Sequence, residues 1–400
     1  MRPAKQQLHQ LDVLRGICAL LVVLFHIQFQ FPGRGSQLVR NGDLFVDFFF
    51  VLSGFIMLHS YRSLRGGREL FRFLGARLFR VYPLHLVMLG VFLAYEVVQY
   101  ALVRSLGLPT STPPFETNNG YALALGLTLL NGVGLHPLSF NVPSWSISTE
   151  FWSYLAFGLT LTLVSGRRLH LYLAFGMLAS TALLVLASQP TPSLSEDPFY
   201  FFPRCVFGFF LGALLRLALP TRRADEVPSA RAGMLAQCAA LAALATLIAV
   251  ISKATVWLEL VVPLSFAALI AALVHWPNTL LIRAIDLKPL RWMGAVSYSI
   301  YMVHMIIVLV VQAFVRIALH APTKGSTILV SPALGCALLA LCLGGTLWAA
   351  SLTYRFIEEP GRRLGRRLLD AEPRRSAATL EVAAVMHGDS AHASAPAADG

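Results

Sequence analysis

Residues 11–31 read LDVLRGICALLVVLFHIQFQF, with only Asp12, Arg15 and His26 carrying a charge or an imidazole. A helix needs about 20 predominantly apolar residues to cross a bilayer, so this stretch predicts a membrane span. It contains Arg15 and does not end in a small-residue cleavage site, so it reads as a retained helix and not a signal peptide. Working outward from it, the same test predicts spans near 44–61, 82–104, 146–165, 169–188, 199–219, 233–252, 255–275, 296–318 and 329–352. Segment 121–136 is apolar but short and is interrupted by Gly126, Asn131, Gly132 and Gly134. It reads as a re-entrant or half helix, tolerated where protein or a cavity covers its backbone. The expected fold class is therefore all-α: a polytopic membrane bundle of about ten transmembrane helices plus one half helix.

The composition agrees. The 400 residues are 56% hydrophobic and 13% charged, with a mean hydropathy of +0.66. A soluble domain carries roughly a quarter of its residues as charges. The five cysteines all lie in apolar stretches without CxxC spacing, which excludes a disulfide scaffold. The net charge of +12 invites a nucleic-acid reading, but the basic residues sit in short segments between spans, as orientation signals do. Nucleic acid is not an expected partner.

Those basic segments predict both termini in the cytoplasm. The inner side would hold Arg2, Lys5 and Arg15, the arginines from Arg62 to Arg80, Arg167 and Arg168, Arg222, Arg223 and Arg231. It would also hold Arg283, Lys288 and Arg291, then Arg355 and the cluster Arg362, Arg363, Arg366 and Arg367. Arg34, Arg40, Arg104, Lys253 and Lys324 are left outside, as is the loop 190–198 with Glu196 and Asp197. Residues 1–370 form the expected membrane domain. Residues 371–400, rich in Ala and Ser with no apolar period, form an expected disordered cytoplasmic tail. No internal repeat is evident by eye.

Ionisable groups in hydrocarbon are costly and become functional candidates. Arg15 and His26 are eleven residues apart, about 1100° of helix, so they share one face roughly 16 Å apart along the axis. Asp47 is one turn into the second span, near the expected depth of His26, where a carboxylate would orient the imidazole. Ser53 and Gly54 suit close helix approach. Arg77 and Arg80 form a fork fitted to phosphate oxygens, although topology alone also explains arginines there. His85 reads as a core histidine. In the stretch 141–152, NVPSWSISTEFW, Ser144 or Ser146 is placed to cap a helix, with Glu150 a turn inside as a cap partner or a third group at the depth of His26 and Asp47.

Late in the chain Tyr298, Tyr301 and Tyr354 suit an interfacial aromatic belt, and His304 lies deeper. Ser146, Tyr298 and His304 are candidates for supporting or acceptor-handling roles. Glu358 and Glu359 fall in an Arg-rich segment and suit pairing with it. No HExxH, GxSxG or GxxxxGK[ST] occurs, which removes motif support for zinc-protease, α/β-hydrolase and P-loop readings. No metal site is expected.

These motifs, taken in order, resemble those of the membrane-bound acyltransferase family 3, bacterial O-acyltransferases of exopolysaccharides, surface glycans and related acceptors. They are Leu11-Asp12 through Arg15-Gly16 with His26 (Arg-x10-His); Asp47 through Ser53-Gly54-Phe55; Arg77-x-x-Arg80 with Pro83; Ser144-Trp145-Ser146 through Glu150; Ser297-Tyr298-Ser299 through His304; and Phe356 through Pro360. The resemblance implies a ten-helix enzyme of the bacterial inner membrane. It would take acyl groups, acetyl foremost, from cytoplasmic acyl-CoA as co-substrate and pass them to a sugar hydroxyl, with no resident cofactor. It further implies that His26 is the essential histidine, that Arg15 is its paired arginine, that Arg77 and Arg80 are the loop arginines, and that Glu150 is the acid. Some relatives add an extracytoplasmic hydrolase-like domain; here acceptor handling is expected within the helices and short loops.

Independently, Arg15, Arg77 and Arg80 would gather at the inner mouth as a dock for CoA phosphates. His26, Asp47 and Glu150 would gather roughly 16 Å deeper, a distance an extended pantetheine arm bridges. His26 would act as general base on the acceptor hydroxyl, with Glu150 or Asp47 orienting it; a covalent acyl-histidine is the other route. The rival from another class is a transporter or flippase for polysaccharide or lipid-linked sugar, using the same polar residues as a path. A rival within enzymes is the other large class of membrane O-acyltransferases, also built around a buried histidine.

Overall fold

The structure is a computed structural model that describes residues 8–107, 113–187, 197–220, 229–251 and 256–370. Of the expected outer loop 190–198, residues 190–196 lie outside the described residues, as do the tail at 371–400 and Arg2, Lys5, Arg222, Arg223 and Lys253.

The chain is helical. In order come α1 (His9–His26), the short α2 (Gln37–Arg40), α3 (Val46–Ser60), the long α4 (Gly66–Leu106), the short α5 (Gly120–Leu127), α6 (Trp145–Leu163), α7 (Arg167–Ala187) and α8 (Phe201–Ala218). Then follow α9 (Ala230–Val250), α10 (Val256–His275), α11 (Leu280–Ile285), α12 (Lys288–Ala295), α13 (Ser297–Ile317), α14 (Pro332–Thr353) and α15 (Glu359–Asp370). A two-residue hairpin, β1 (Thr323–Lys324) with β2 (Thr327–Ile328), joins α13 to α14. Polar side chains start several helices where the first N–H groups lack partners. Asn119 accepts from the Ala122 amide, Ser229 from Ala232 and Ser331 from Leu334. Gly107 closes α4 in the left-handed conformation at φ 61°, where a side chain would be strained.

Nine helices among the described residues are long and apolar enough to cross a membrane. The remaining expected span, 146–165, is α6, 19 residues long. Its first turns carry Ser146, Ser148 and Thr149, all buried, so its polar face turns inward, away from lipid.

Three boundaries differ from expectation. The first span stops at His26, five residues early, because the backbone beyond it pairs elsewhere. The Gln28 amide donates to Oε1 of Gln312, and the Gln30 amide to the Ile328 carbonyl. The basic segment before the third span is the opening of α4 and not a loop; its Arg72 donates to the Leu369 carbonyl of α15 at 2.7 and 3.0 Å. The last span runs on through a π turn at Tyr354–Glu358 into α15. The 121–136 segment is α5 followed by turns, with His85, itself buried, bonded to the Gly126 carbonyl at 2.8 Å.

Without a hydrophobic force between helices in lipid, small residues that admit backbone contact decide which helices pair. Helices α3 and α8 show this. A Cβ added at Gly54 would lie 1.7 Å from the Phe209 carbonyl oxygen, and one at Gly212 1.8 Å from that of Val51. We expect Gly54→Ala and Gly212→Ala each to cost about 1–3 kcal/mol or more, because neither backbone can retreat without moving its helix. Gly90→Ala is the control, since nothing lies within 4 Å of its added methyl. Thermal unfolding in detergent should show lower midpoints for the first two variants only.

Candidate active site

Two cavities enter the bundle from opposite ends of α1. The larger, about 460 Å³, touches α1 from Leu8 to Arg15; the smaller, about 120 Å³, touches it from Val22 to His26.

The larger cavity carries three guanidiniums and two carboxylates, Asp12 and Glu150, on an otherwise mainly apolar wall. Arg15, Arg80 and Arg362 line it, from α1, α4 and α15. Arg15 is held by Asp12 at 3.3 Å, three residues back on the same helix. Glu150 faces this cavity, where its Oε1 accepts from the hydroxyl of Ser53 and, at 2.6 Å, from that of Tyr154. Tyr298 lines it too and donates to the Val81 carbonyl at 2.6 Å. Behind the wall Glu358, buried on the π turn, accepts from Ser299 at 2.8 Å and lies 3.9 Å from Arg362. Arg77 is not among the lining residues; its Nε is buried without a partner.

The smaller cavity holds His26, with Asp43, Trp145 and Arg204 in its wall. His26 Nδ1 is 2.9 Å from the Val22 carbonyl, and His304 Nδ1 is 2.7 Å from the Tyr301 carbonyl. A carbonyl oxygen only accepts, so both Nδ1 atoms carry the proton and both Nε2 atoms carry a lone pair. His304 Nε2 then accepts a second, longer share of the His26 Nδ1 proton at 3.3 Å. This assigns the tautomers from the bonding network, and it leaves His26 Nε2 as the basic atom.

Asp47 does not orient His26. Both its oxygens accept from Arg204 of α8, from Nε and Nη2 at 2.9 Å each, and both residues are buried. The third guanidinium nitrogen, Nη1, is buried and has no partner. The Trp145 ring, 6.0 Å from the guanidinium carbon, covers Arg204.

Val46 and Tyr301 belong to the walls of both cavities. Tyr301 is fixed by donating to the Pro143 carbonyl at 2.9 Å and accepting from Ser146 at 2.9 Å. The expected capping role of Ser146 is thus replaced by this bond. Ser144 stands at the cap position, but its hydroxyl accepts from Asn131.

The structure therefore brings Arg15, Arg80 and Glu150 together, and His26 with His304, but it does not join His26, Asp47 and Glu150. Tyr298 and Tyr301 are buried and are not an interfacial belt. Sequence reasoning passed over Arg204 and Tyr154. Arg204 stands in the apolar run FFPRCVFGFF at 201–210, where the cost of an intramembrane charge could have flagged it. Among the described residues no group of three His, Cys, Asp or Glu is placed to hold a metal ion.

Known proteins resemble the chain, two of them over most of its length. It is 26% identical over 380 residues to the peptidoglycan O-acetyltransferase OatA of Listeria monocytogenes, covering 91% of this chain and 57% of that protein. It is 24% identical over 372 residues to the O-acetyltransferase OatA of Staphylococcus aureus, covering 89% and 57%. Protein 2 in the picA locus of Rhizobium radiobacter is 35% identical over 156 residues, which are 35% of this chain and 75% of that one. The chain thus spans little more than half the length of the two OatA relatives. No solved structure matches it. The family model described as "Acyltransferase domain" matches residues 8–348, and the chain therefore belongs to the acyltransferase family 3 that its ordered motifs resemble.

Proposed function

We propose that this protein is a membrane O-acyltransferase that moves an acyl group, acetyl foremost, from cytoplasmic acyl-CoA to a hydroxyl of a sugar or exopolysaccharide-type acceptor. The observation that carries this reading is the pair of cavities meeting at one wall, with arginines in one and an imidazole with a free lone pair in the other. Two relatives named as O-acetyltransferases support the acetyl group.

Three guanidiniums in one cavity suit the phosphates of CoA, which accept bidentate, charge-assisted bonds. This end of the bundle is the cytoplasmic one in our reading, with both termini on that side of the inner membrane. From Arg15 to His26 the axis runs roughly 16 Å, a length that lets the pantetheine arm carry its thioester past Val46 and Tyr301. In the transfer step His26 Nε2 takes the proton of the acceptor hydroxyl as its oxygen attacks the thioester carbonyl. The carbon–sulfur bond breaks, the imidazolium returns the proton to the leaving thiolate, and the products are an ester and free CoA. His304 and the Val22 carbonyl steady the Nδ1 proton of the imidazolium, the orienting part a triad's acid plays elsewhere. The unpartnered Nη1 of Arg204 meets the charge that develops on the carbonyl oxygen, held in place by Asp47 and Trp145. Glu150 lies on the donor side of the wall, where Ser53 and Tyr154 hold it; there it shapes the path of the thioester.

The donor side is tested with membrane vesicles. Acetyl-CoA should bind to inverted vesicles and not to right-side-out ones, and Arg15→Gln or Arg80→Gln should weaken that binding about tenfold or more at normal protein levels. A lysine should restore it only in part, lacking the planar fork. Equal binding from both faces, or full affinity in both glutamine variants, would remove CoA from this cavity.

Turnover is tested with purified protein and radiolabelled acetyl-CoA. His26→Ala should lower transfer roughly 10²–10⁴-fold while acetyl-CoA still binds. His304→Ala should lose less, since it acts on the imidazole and not on the substrate. A near-normal rate for His26→Ala would sink the assignment.

Arg204→Lys separates charge from geometry. A lysine keeps an ion pair with Asp47 but has no third nitrogen to offer the carbonyl oxygen. Turnover should drop about 10²-fold, the scale of losing one preorganised donor, with affinity for acetyl-CoA nearly kept. A rate within threefold of the parent in a folded variant would return Arg204 to a purely structural pair.

A further inference from the structure

Past the last span lies a two-sided helix pressed on the opening of α4. Helix α15 is 12 residues long, about 18 Å. A Cβ added at its Gly361 would lie 2.7 Å from Cγ of Pro83, and one at Gly365 2.5 Å from Cβ of Phe79. Leu369 closes the row, with its Cδ2 3.0 Å from a Cβ added at Gly75. At 100° per residue, these three positions fill one half of an apolar arc about 140° wide. Leu364 and Leu368 fill the other half, and they are 50% and 54% exposed. Arg363, Arg366 and Arg367, all exposed, occupy the rest of the circumference. Arg362, at the edge of the arc, is the residue that α15 sends into the arginine-lined cavity. From this division we infer that α15 lies on the bilayer surface, with its leucines among the acyl chains and its outer arginines on the phosphates of anionic phospholipids.

Depth agrees with this placement. Helix α14 has 22 residues, about 33 Å, which is enough to cross the hydrocarbon, so α15 starts at the level of the headgroups. There both packed helices carry a feature that bends helices, Pro83 inside α4 and the π turn at Tyr354–Glu358 before α15. The contact of Gly361 with Pro83 sets the two features side by side, so that a shared bend lays the pair along the leaflet.

Charge selects the lipid. Residues 62–80 and α15 together hold ten arginines against Glu69, Glu359 and Asp370. Glu359 is shared among Arg363 at 2.9 Å, Arg366 at 3.4 Å and Arg362 at 3.7 Å. One carboxylate does not fill three guanidinium forks, which leaves N–H groups over for phosphate oxygens. A nucleic acid or a soluble anion would engage these arginines but leave the leucines in water. A zwitterionic leaflet would bury the leucines and offer the arginines no net charge. An anionic leaflet meets both halves, as it does for other basic amphipathic helices. Phe71, one turn before Gly75 on α4 and 71% exposed, adds a third apolar side chain to the exposed side of the pair.

The test uses the purified full chain. Native mass spectrometry compares its retention of phosphatidylglycerol and phosphatidylcholine from mixed detergent micelles. The parental chain should favour phosphatidylglycerol. The joint change Arg363→Gln, Arg366→Gln and Arg367→Gln should lower that preference about tenfold or more, the scale of three basic residues near an anionic surface. Lysine at the same three positions should keep most of it, because the attraction is one of charge. Depth is read in vesicles containing phosphatidylglycerol, from spin labels at Leu368→Cys and at Arg363→Cys. Both are built on Cys238→Ser and Cys336→Ser, since those two cysteines are exposed. Oxygen dissolved in the acyl chains should reach the first label, and a water-soluble nickel chelate the second. Equal retention of the two lipids by the parental chain would overturn the proposal. A folded glutamine variant with the full preference would remove α15 as the site. A Leu368→Cys label reached by nickel and not by oxygen would put the leucines in water and give the arginines to a soluble partner instead. Should the glutamine variant fail to fold, the labels alone decide.

Discussion

The buried ion pair between Asp47 and Arg204 ties the first turns of α3 and α8 together, and about two turns further on their backbones meet at Gly54 and Gly212. Two charges out of water demand close geometry and full hydrogen bonding, and leaving one without the other costs about 3–5 kcal/mol. Here both carboxylate oxygens and two of three guanidinium nitrogens are matched, which leaves one donor over. The same contact that fixes the helix pair thus holds rigid a residue of the His26 cavity wall, with one buried guanidinium nitrogen left unmatched. Preorganised donors of this kind need no rearrangement when charge develops.

The tyrosine wall follows from that arrangement. Trp145 covers the guanidinium, Ser146 follows it in α6 and donates to Tyr301, and Tyr301 closes on the Pro143 carbonyl. The arginine-lined cavity and the His26 imidazole are thus kept on opposite sides of one aromatic ring.

Much of this was legible in the sequence, and what was not has a physical cause. Spans are legible because bilayer thickness sets a length, and Arg15 and His26 stand out because charge in hydrocarbon is costly. Helical periodicity gives the face of a residue but not the neighbour that face meets. Asp47 shares an expected depth with His26, yet its partner is 157 residues further on. Tyr301 reads as an interfacial aromatic because its ring is amphipathic, but a hydroxyl with two buried partners is equally content inside. Glu150 shows the same limit: its turn of helix was predicted, while the wall between it and His26 depends on Ser146 and Tyr301, which meet only in three dimensions. The basic opening of α4 looked like a loop because its arginines mask a helix that leans on the end of α15.

The π turn at Tyr354–Glu358 has a bearing on how the end of the chain is numbered. Such a turn amounts to one residue inserted into an α-helix, and one residue is worth about 100° of rotation. A helical wheel drawn straight from Pro332 to Asp370 therefore falls out of phase after Glu358 and assigns the wrong side chains to the inside. The offset is what sets Glu358 against Ser299 and Arg362 into the arginine-lined cavity, while Arg363 and Arg366 remain on the outer face with Glu359. The five residues act as a phase shifter between an apolar helix and a cationic one, with a rotational register that hydropathy alone does not carry.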